Sequence, residues 1–222
     1  MTPAARCAAA LDVLAQLSAG TAAAPALLAW ARGNRYAGYK DRAALRDIVF
    51  SIMRRRTSCA AMGGEETPLG LLRGYLAQEE IGETEIFGAG AYAPPPLPSD
   101  APPITPWTDL DETARADMQP WVLDRFRRDL EDPLAVAEAL RHRAPLWLRV
   151  NLTRSSREAA MKALAQAGHA PEEALSCDTA IKITARERQV AQHALVADGS
   201  LEFQDLAPQQ AVASLRIDPG HD

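Results

Sequence analysis

The chain has 222 residues, a net charge of −5, 47% hydrophobic residues and 24% charged residues. This is the makeup of a folded protein with a packed core, and no run approaches the roughly 18 apolar residues that a membrane span needs. Aromatics are few, at 5%, and alanine supplies much of the apolar content, which favours closely packed helices over a large sheet.

The charge is uneven. Met1 to Met62 carries nine Lys and Arg against three Asp, a balance of +6 that leaves −11 for the rest. A basic segment on an acidic chain suits local contact with a polyanion. The alanine-rich start could pass for a signal peptide, but Arg6, Asp12 and Gln16 interrupt it at helical spacing. It reads as a core helix of a cytoplasmic protein with no membrane partner. Cys7, Cys59 and Cys177 are widely separated and lack metal-ligand spacing, so they read as buried thiols.

In chain order, Thr2-Pro3 is an N-cap followed by N1, and Leu11, Leu14 and Leu17 continue a helical stripe to Gly20. Thr21 to Arg32 predicts a second helix. "KDRAALRDIVFSIMRRRTSCAAMGG" predicts one long helix, with Asp41 as cap and Leu45, Ile48, Val49, Ile52 and Met53 as its apolar face. Gly63-Gly64 ends it, and Thr67-Pro68 starts another helix. A short helical piece is expected at Glu83 to Phe87. Gly88 to Trp107 contains seven prolines and predicts a linker or a loop wrapping the surface. Helices resume at Leu110 to Asp117, at Pro120 to Leu130, with Trp121, Val122, Phe126 and Leu130 turned inward, and at Pro133 to Arg143.

After Pro145 the pattern changes. Leu146 to Asn151 alternates as a strand, with Leu146, Leu148 and Val150 toward a core and Trp147, Arg149 and Asn151 on the other face. A helix follows from Ser155 to Ala167, capped by Ser155 or Ser156 and ended by Gly168. "TAIKIT" and "SLEFQD" predict further strands, Pro208 to Leu215 a short helix, and "RIDPGHD" an end without closure. The fold class expected is a mainly α helical bundle followed by a small α/β module of ferredoxin or RNA-recognition type. Residues 1–88 would form the bundle, 89–107 a proline-rich linker, 108–143 a helical extension and 144–222 the α/β module.

Catalytic motifs are missing: there is no GxGxxG, P-loop, HExxH or GxSxG, and the four histidines share no ligand spacing. Glu79-Glu80 and Glu172-Glu173 read as solvated faces. Three features suggest contact with a partner. Arg54-Arg55-Arg56, with Arg42 and Arg46 on the same predicted helix, suits RNA phosphates, although cations are also favoured at a helix C-terminus for electrostatic reasons alone. Arg149 and Asn151, beside the ring of Trp147, suit single-stranded RNA, or Arg149 pairs with a carboxylate of a neighbouring element. Gln204 and Asp205 fall at a strand end before a helix, a place that often faces a ligand pocket.

The stretch "PLWLRVNLTRSSREAAMKALAQAGHAP…SLEFQDLAPQQAVASLRIDPGHD" resembles the Sun-type (Fmu-like) RNA cytosine-C5 methyltransferases, in which a "P.WLRVN" strand, a helix and a "QD.ASQ" segment precede the S-adenosylmethionine-binding domain. "KDRAALRDIVFSIMRRR" is similar to that family's helical domain, itself similar to antitermination-factor RNA-binding bundles. Pro208 and Leu206 depart from the family pattern, and Gly199 and Phe203 approximate its glycine–aromatic pair. The resemblance implies ribosomal RNA, 16S rRNA among it, as partner and S-adenosylmethionine as cofactor of the full-length enzyme, with Gln204 and Asp205 near it. It also implies that the two catalytic cysteines and the cofactor site lie in a C-terminal methyltransferase domain beyond Asp222. The chain alone, read as a truncated fragment, would then bind no cofactor tightly and transfer no methyl group. The alternative is a stand-alone RNA-binding or adaptor protein without catalytic activity.

Overall fold

The computed structural model describes residues 1–215; the closing "RIDPGHD" lies outside the described residues. The chain divides into two compact units, Met1–Arg143 and Ala144–Asp222.

The first unit is helical. α1 (Pro3–Ser18) begins at Thr2, whose hydroxyl accepts the Ala5 N–H. α2 (Ala23–Gly33), α3 (Tyr39–Arg54), α4 (Arg56–Gly63) and α5 (Pro68–Gln78) follow. α1 lies between two apolar clusters. One of its faces, through Cys7 and Leu14, joins Ile52, Leu72 and Leu76. The other, through Ala9, Ala10 and Val13, joins Ala26, Trp30, Leu45 and Val49. Its alanines are small enough to let helices approach it from both sides.

α4 and α5 approach more closely still. A Cβ on Gly74 would collide with the Cys59 carbonyl, and one on Gly63 with the Gly70 carbonyl. The chain places glycine where two backbones meet.

Two expectations on this stretch are corrected. The long basic helix is two helices, because Arg55 leaves helical geometry (φ −114°, ψ 30°). The reason lies far along the chain. The Asp117 carboxylate accepts the Ser58 N–H (2.7 Å) and hydroxyl (2.7 Å), so α4 receives an N-terminal cap from another element. Asp41 is not the cap of α3. That position is Gly38, and the Asp41 carboxylate holds the Met1 amine (3.2 Å) and Arg6 (2.8 Å).

α6 (Glu83–Ile86) precedes the proline-rich stretch, which runs along this unit. Ala93 and Leu97 pack on the first cluster, Thr105 donates its N–H to the Met62 carbonyl, and the Pro102 carbonyl accepts from the buried Arg73 (2.7 Å). Arg73 also binds Glu83 (2.6 Å). A 3₁₀ turn at Trp107–Asp109, α7 (Glu112–Ala116), α8 (Pro120–Asp129) and α9 (Pro133–Arg141) complete the unit. On α8 the inward residue is Leu123, which is fully buried, while Trp121 is 72% exposed and Leu130 is exposed. The short helix turns a narrower stripe inward than its apolar residues suggested.

The second unit holds β1 (Leu146–Val150), α10 (Arg157–Gln166), β2 (Pro171–Glu173) and β3 (Ala180–Ile183). A 3₁₀ segment (Glu187–Gln192), α11 (Ala194–Ala197), β4 (Leu201–Phe203) and α12 (Leu206–Ala213) follow. The sheet order is β2-β3-β1-β4, and every pairing is antiparallel. β2 was not expected, because its three residues include Pro171 and two glutamates; as an edge strand it tolerates all of them. One sheet face, with Leu148, Val150, Ile181, Ile183 and Leu201, packs on Ala160 and Leu164 of α10 and on Val190. On the other face Trp147 joins Ala174, Cys177, Ala180 and Leu206.

Candidate nucleic-acid interface

The three arginines that end the basic stretch have different surroundings. Arg55 binds Glu79 (2.7 Å), reaches Gln78 and lies over the Tyr75 ring at 5.3 Å. Arg56 binds Glu66 (2.6 Å). Arg54 reaches the Ser51 hydroxyl (3.2 Å), and its Nε is buried without a partner among the described residues. Burial, with the charges of Arg55 and Arg143 nearby, pulls the Arg54 pKa below the ordinary arginine value. Arg55 and Arg56 therefore already have carboxylate partners that a phosphate would have to displace.

Arg42 and Arg46 are exposed, one turn apart on α3. Arg42 donates its Nε to the Ala37 carbonyl (2.8 Å), and neither residue has a carboxylate partner among the described residues. Between α2 and α3 lies a groove of about 280 Å³, lined by Leu27, Leu28, Trp30, Tyr39, Phe50 and these two arginines. The aromatic and apolar lining of this groove was missed in the sequence. Its signal was Tyr39, an aromatic one helical turn before Ala43 and next in sequence to Lys40.

In the second unit Arg149 binds Glu202 (2.6 Å), its cross-strand neighbour. Beside it on the same face Lys182 binds Glu172 (3.2 Å). Asn151 shapes the turn after β1: its side-chain oxygen accepts the Thr153 N–H (3.2 Å) and hydroxyl (2.7 Å), and its amide reaches the Gly199 carbonyl (3.4 Å). Asp205 is the N-cap residue of α12 by position, and the side-chain oxygen of Gln204 is buried without a partner among the described residues.

Sequence reasoning missed Gln209, which holds this region together. Its amide donates to the carbonyls of Gln204 (2.9 Å) and Leu148 (3.4 Å), and its oxygen accepts the Thr179 hydroxyl (2.9 Å). A buried glutamine thus fastens α12 over β1. Its sign in the sequence was the last letter of "QDLAPQ".

The first unit contains a second missed residue. Arg141, 8% exposed, binds Asp117 (2.8 Å), Glu138 (2.7 Å) and Gln78 (2.8 Å), with its guanidinium 4.3 Å over the Trp107 ring. This group ties α4, α5, α7 and α9 to one another. It is architecture rather than a binding site.

The thiols are Cys7, Cys59 and Cys177. All three are buried, and burial pushes the Cys7 pKa to about 11 and that of Cys59 to about 12. At neutral pH both are unionised. Among the described residues no group of His, Cys, Asp and Glu is placed to hold a metal ion, and no helix is long and apolar enough to cross a membrane.

The βαββαβ order of the second unit, with β1 and β3 central, is a ferredoxin-like arrangement. Residues 119–191 match the family model for the ferredoxin-like domain of RsmF/B-like methyltransferases. The matched segment runs from α8 and α9 through β1, α10, β2 and β3, and ends before β4. No curated protein matches the chain.

Proposed function

We propose that this chain is the RNA-binding front of an S-adenosylmethionine-dependent RNA cytosine-C5 methyltransferase of the Sun type, acting on ribosomal RNA. The carrying observation is the family match on residues 119–191, which covers three of the four strands of a sheet of ferredoxin-like order. The basic surface of the helical unit supports the partner. Arg42 and Arg46 have donors available for phosphate, whereas Arg55 and Arg56 would first have to give up Glu79 and Glu66.

The methyl donor supplies an electrophilic methyl group, and an ionised thiol must first add to the cytosine ring to make C5 nucleophilic. The cysteines here are all buried, and Cys7 and Cys59 are unionised at neutral pH, so they do not fit that role. Gln204 and Asp205 sit at the root of α12, and no step of the transfer is assigned to them. In this reading a separate methyltransferase domain holds the donor and the nucleophile, with Gln204 and Asp205 on the side toward it.

The test is a pair of measurements on the 222-residue chain. Titration with a ribosomal RNA fragment should give binding that weakens steeply with salt, because counterions are released from the neutralised phosphates. Incubation with a labelled methyl donor and the same RNA should leave the RNA unlabelled. Binding that ignores salt would sink the RNA reading, and labelled RNA would sink the division of labour.

A further inference from the structure

We propose that the groove between α2 and α3 takes an unpaired nucleotide of single-stranded RNA, its base beside Tyr39 and its neighbouring phosphates on Arg42 and Arg46. This deepens the RNA-binding reading and rests on it.

Three observations converge. The first is shape and lining. The groove, about 280 Å³, is near the lower end of small-ligand pockets and large enough for one flat heterocycle. Leu27, Leu28 and Phe50 line it, Trp30 is buried beneath it, and Tyr39 is 67% exposed. An exposed aromatic ring next to a concave apolar surface is a stacking platform for a base of any identity.

The second is charge. Arg42 and Arg46 stand at i and i+4 on the α3 side of the groove, and both line it. Arg32, Arg35 and Lys40, close in sequence to its lining residues Ala31 and Tyr39, are exposed, and residues 13–40 contain no Asp or Glu. The nearest acidic groups are engaged elsewhere. Asp41 is held by Arg6 and the Met1 amine, and Asp47 acts on the charge of Arg54. An apolar pocket framed by uncompensated cations selects a ligand that is flat and apolar in one part and anionic in the next. A nucleotide in a single strand has that composition.

The third separates single strands from duplexes. Bases in a duplex are stacked inside it and cannot enter a concave groove, whereas unstacked bases can turn outward. A duplex would meet the arginines alone.

The experiment uses the whole 222-residue chain, a fluorescently labelled eight-nucleotide single-stranded RNA and a hairpin of equal charge. The single strand should bind more tightly than the hairpin. Arg46→Ala should weaken single-strand binding and lower the slope of log affinity against log salt by about 0.7, the value for one phosphate contact. Tyr39→Ala should weaken it roughly fivefold to a hundredfold with the slope unchanged, since stacking releases no counterions. Tyr39→Phe should restore it. The exposed positions leave the fold intact, which circular dichroism checks.

Unchanged affinity in Tyr39→Ala, equal competition by the hairpin, or displacement of the strand by an acidic peptide of equal charge would each overturn the groove. If Arg46→Ala weakens strand and hairpin alike while Tyr39→Ala has no effect, the groove fails and the wider RNA reading stands. If neither RNA binds at low salt, both fail.

Discussion

Single residues here carry charge in two ways. Arg141 and Asp117 are 8% and 2% exposed at their side chains and hold each other at 2.8 Å. Removing one partner strands the other without solvent, so Arg141→Ala should destabilise the helical unit by about 3 kcal/mol in urea denaturation. Arg149 and Glu202 are 35% and 50% exposed, and water screens them. Arg149→Ala should shift stability by no more than about 1 kcal/mol, so any loss of RNA affinity in that variant reads directly as lost contact. Acid should act through Asp41 and Glu138. Hydrogen bonds from Arg6 and the Met1 amine hold the Asp41 pKa below its ordinary value. Burial raises that of Glu138, but bonds from Arg141 and His142 outweigh it and the net shift is downward. A carboxylate with a lowered native pKa adds stability above its unfolded value and loses it as pH falls through the native one. The urea midpoint should therefore drop from pH 6 to pH 3. Asp41→Asn should lower the midpoint at pH 6, and the difference from the unaltered protein should shrink as the pH falls below the ordinary Asp value.

Among the elements, the α4–α5 contact and the seat of α12 are the most exacting. Gly74→Ala would push a methyl group into the Cys59 carbonyl. It should cost about 3 kcal/mol, more than the stabilisation alanine brings to an ordinary helix position. Gln209→Ala removes the three hydrogen bonds that fasten α12 to Gln204, Leu148 and Thr179. Amide exchange in Leu206–Ala213 should speed up well ahead of exchange in β1 and β3, whose ladder does not depend on it. The helix bounds that depended on local chemistry were legible in the sequence. Thr2-Pro3, Thr67-Pro68, Ser156 and Gly64 all act as caps or stops in the structure. The break at Arg55 was not, because its cause is a carboxylate 62 residues further along, and neither was β2, which is held by its neighbour rather than by its own residues.

For the whole molecule, the composition already pointed to packed helices and a small sheet, and the alternation in "LWLRVN" gave the buried side of β1. The sequence also put basic residues on α3, because their spacing is written in it. It could not show which of them keep available donors. Arg55 and Arg56 stand beside Arg54 in the chain, yet Glu79 and Glu66 reach them only through the packing of α4 and α5. Among the described residues Arg42 and Arg46 have no carboxylate partner, and the packing of α2 beside α3 leaves a groove next to them. Local patterns fix caps, periodicity and charge because neighbours along the chain act at fixed spacing. Which charges are neutralised and which surfaces become concave depends on groups distant in sequence, and only the tertiary fold brings those together.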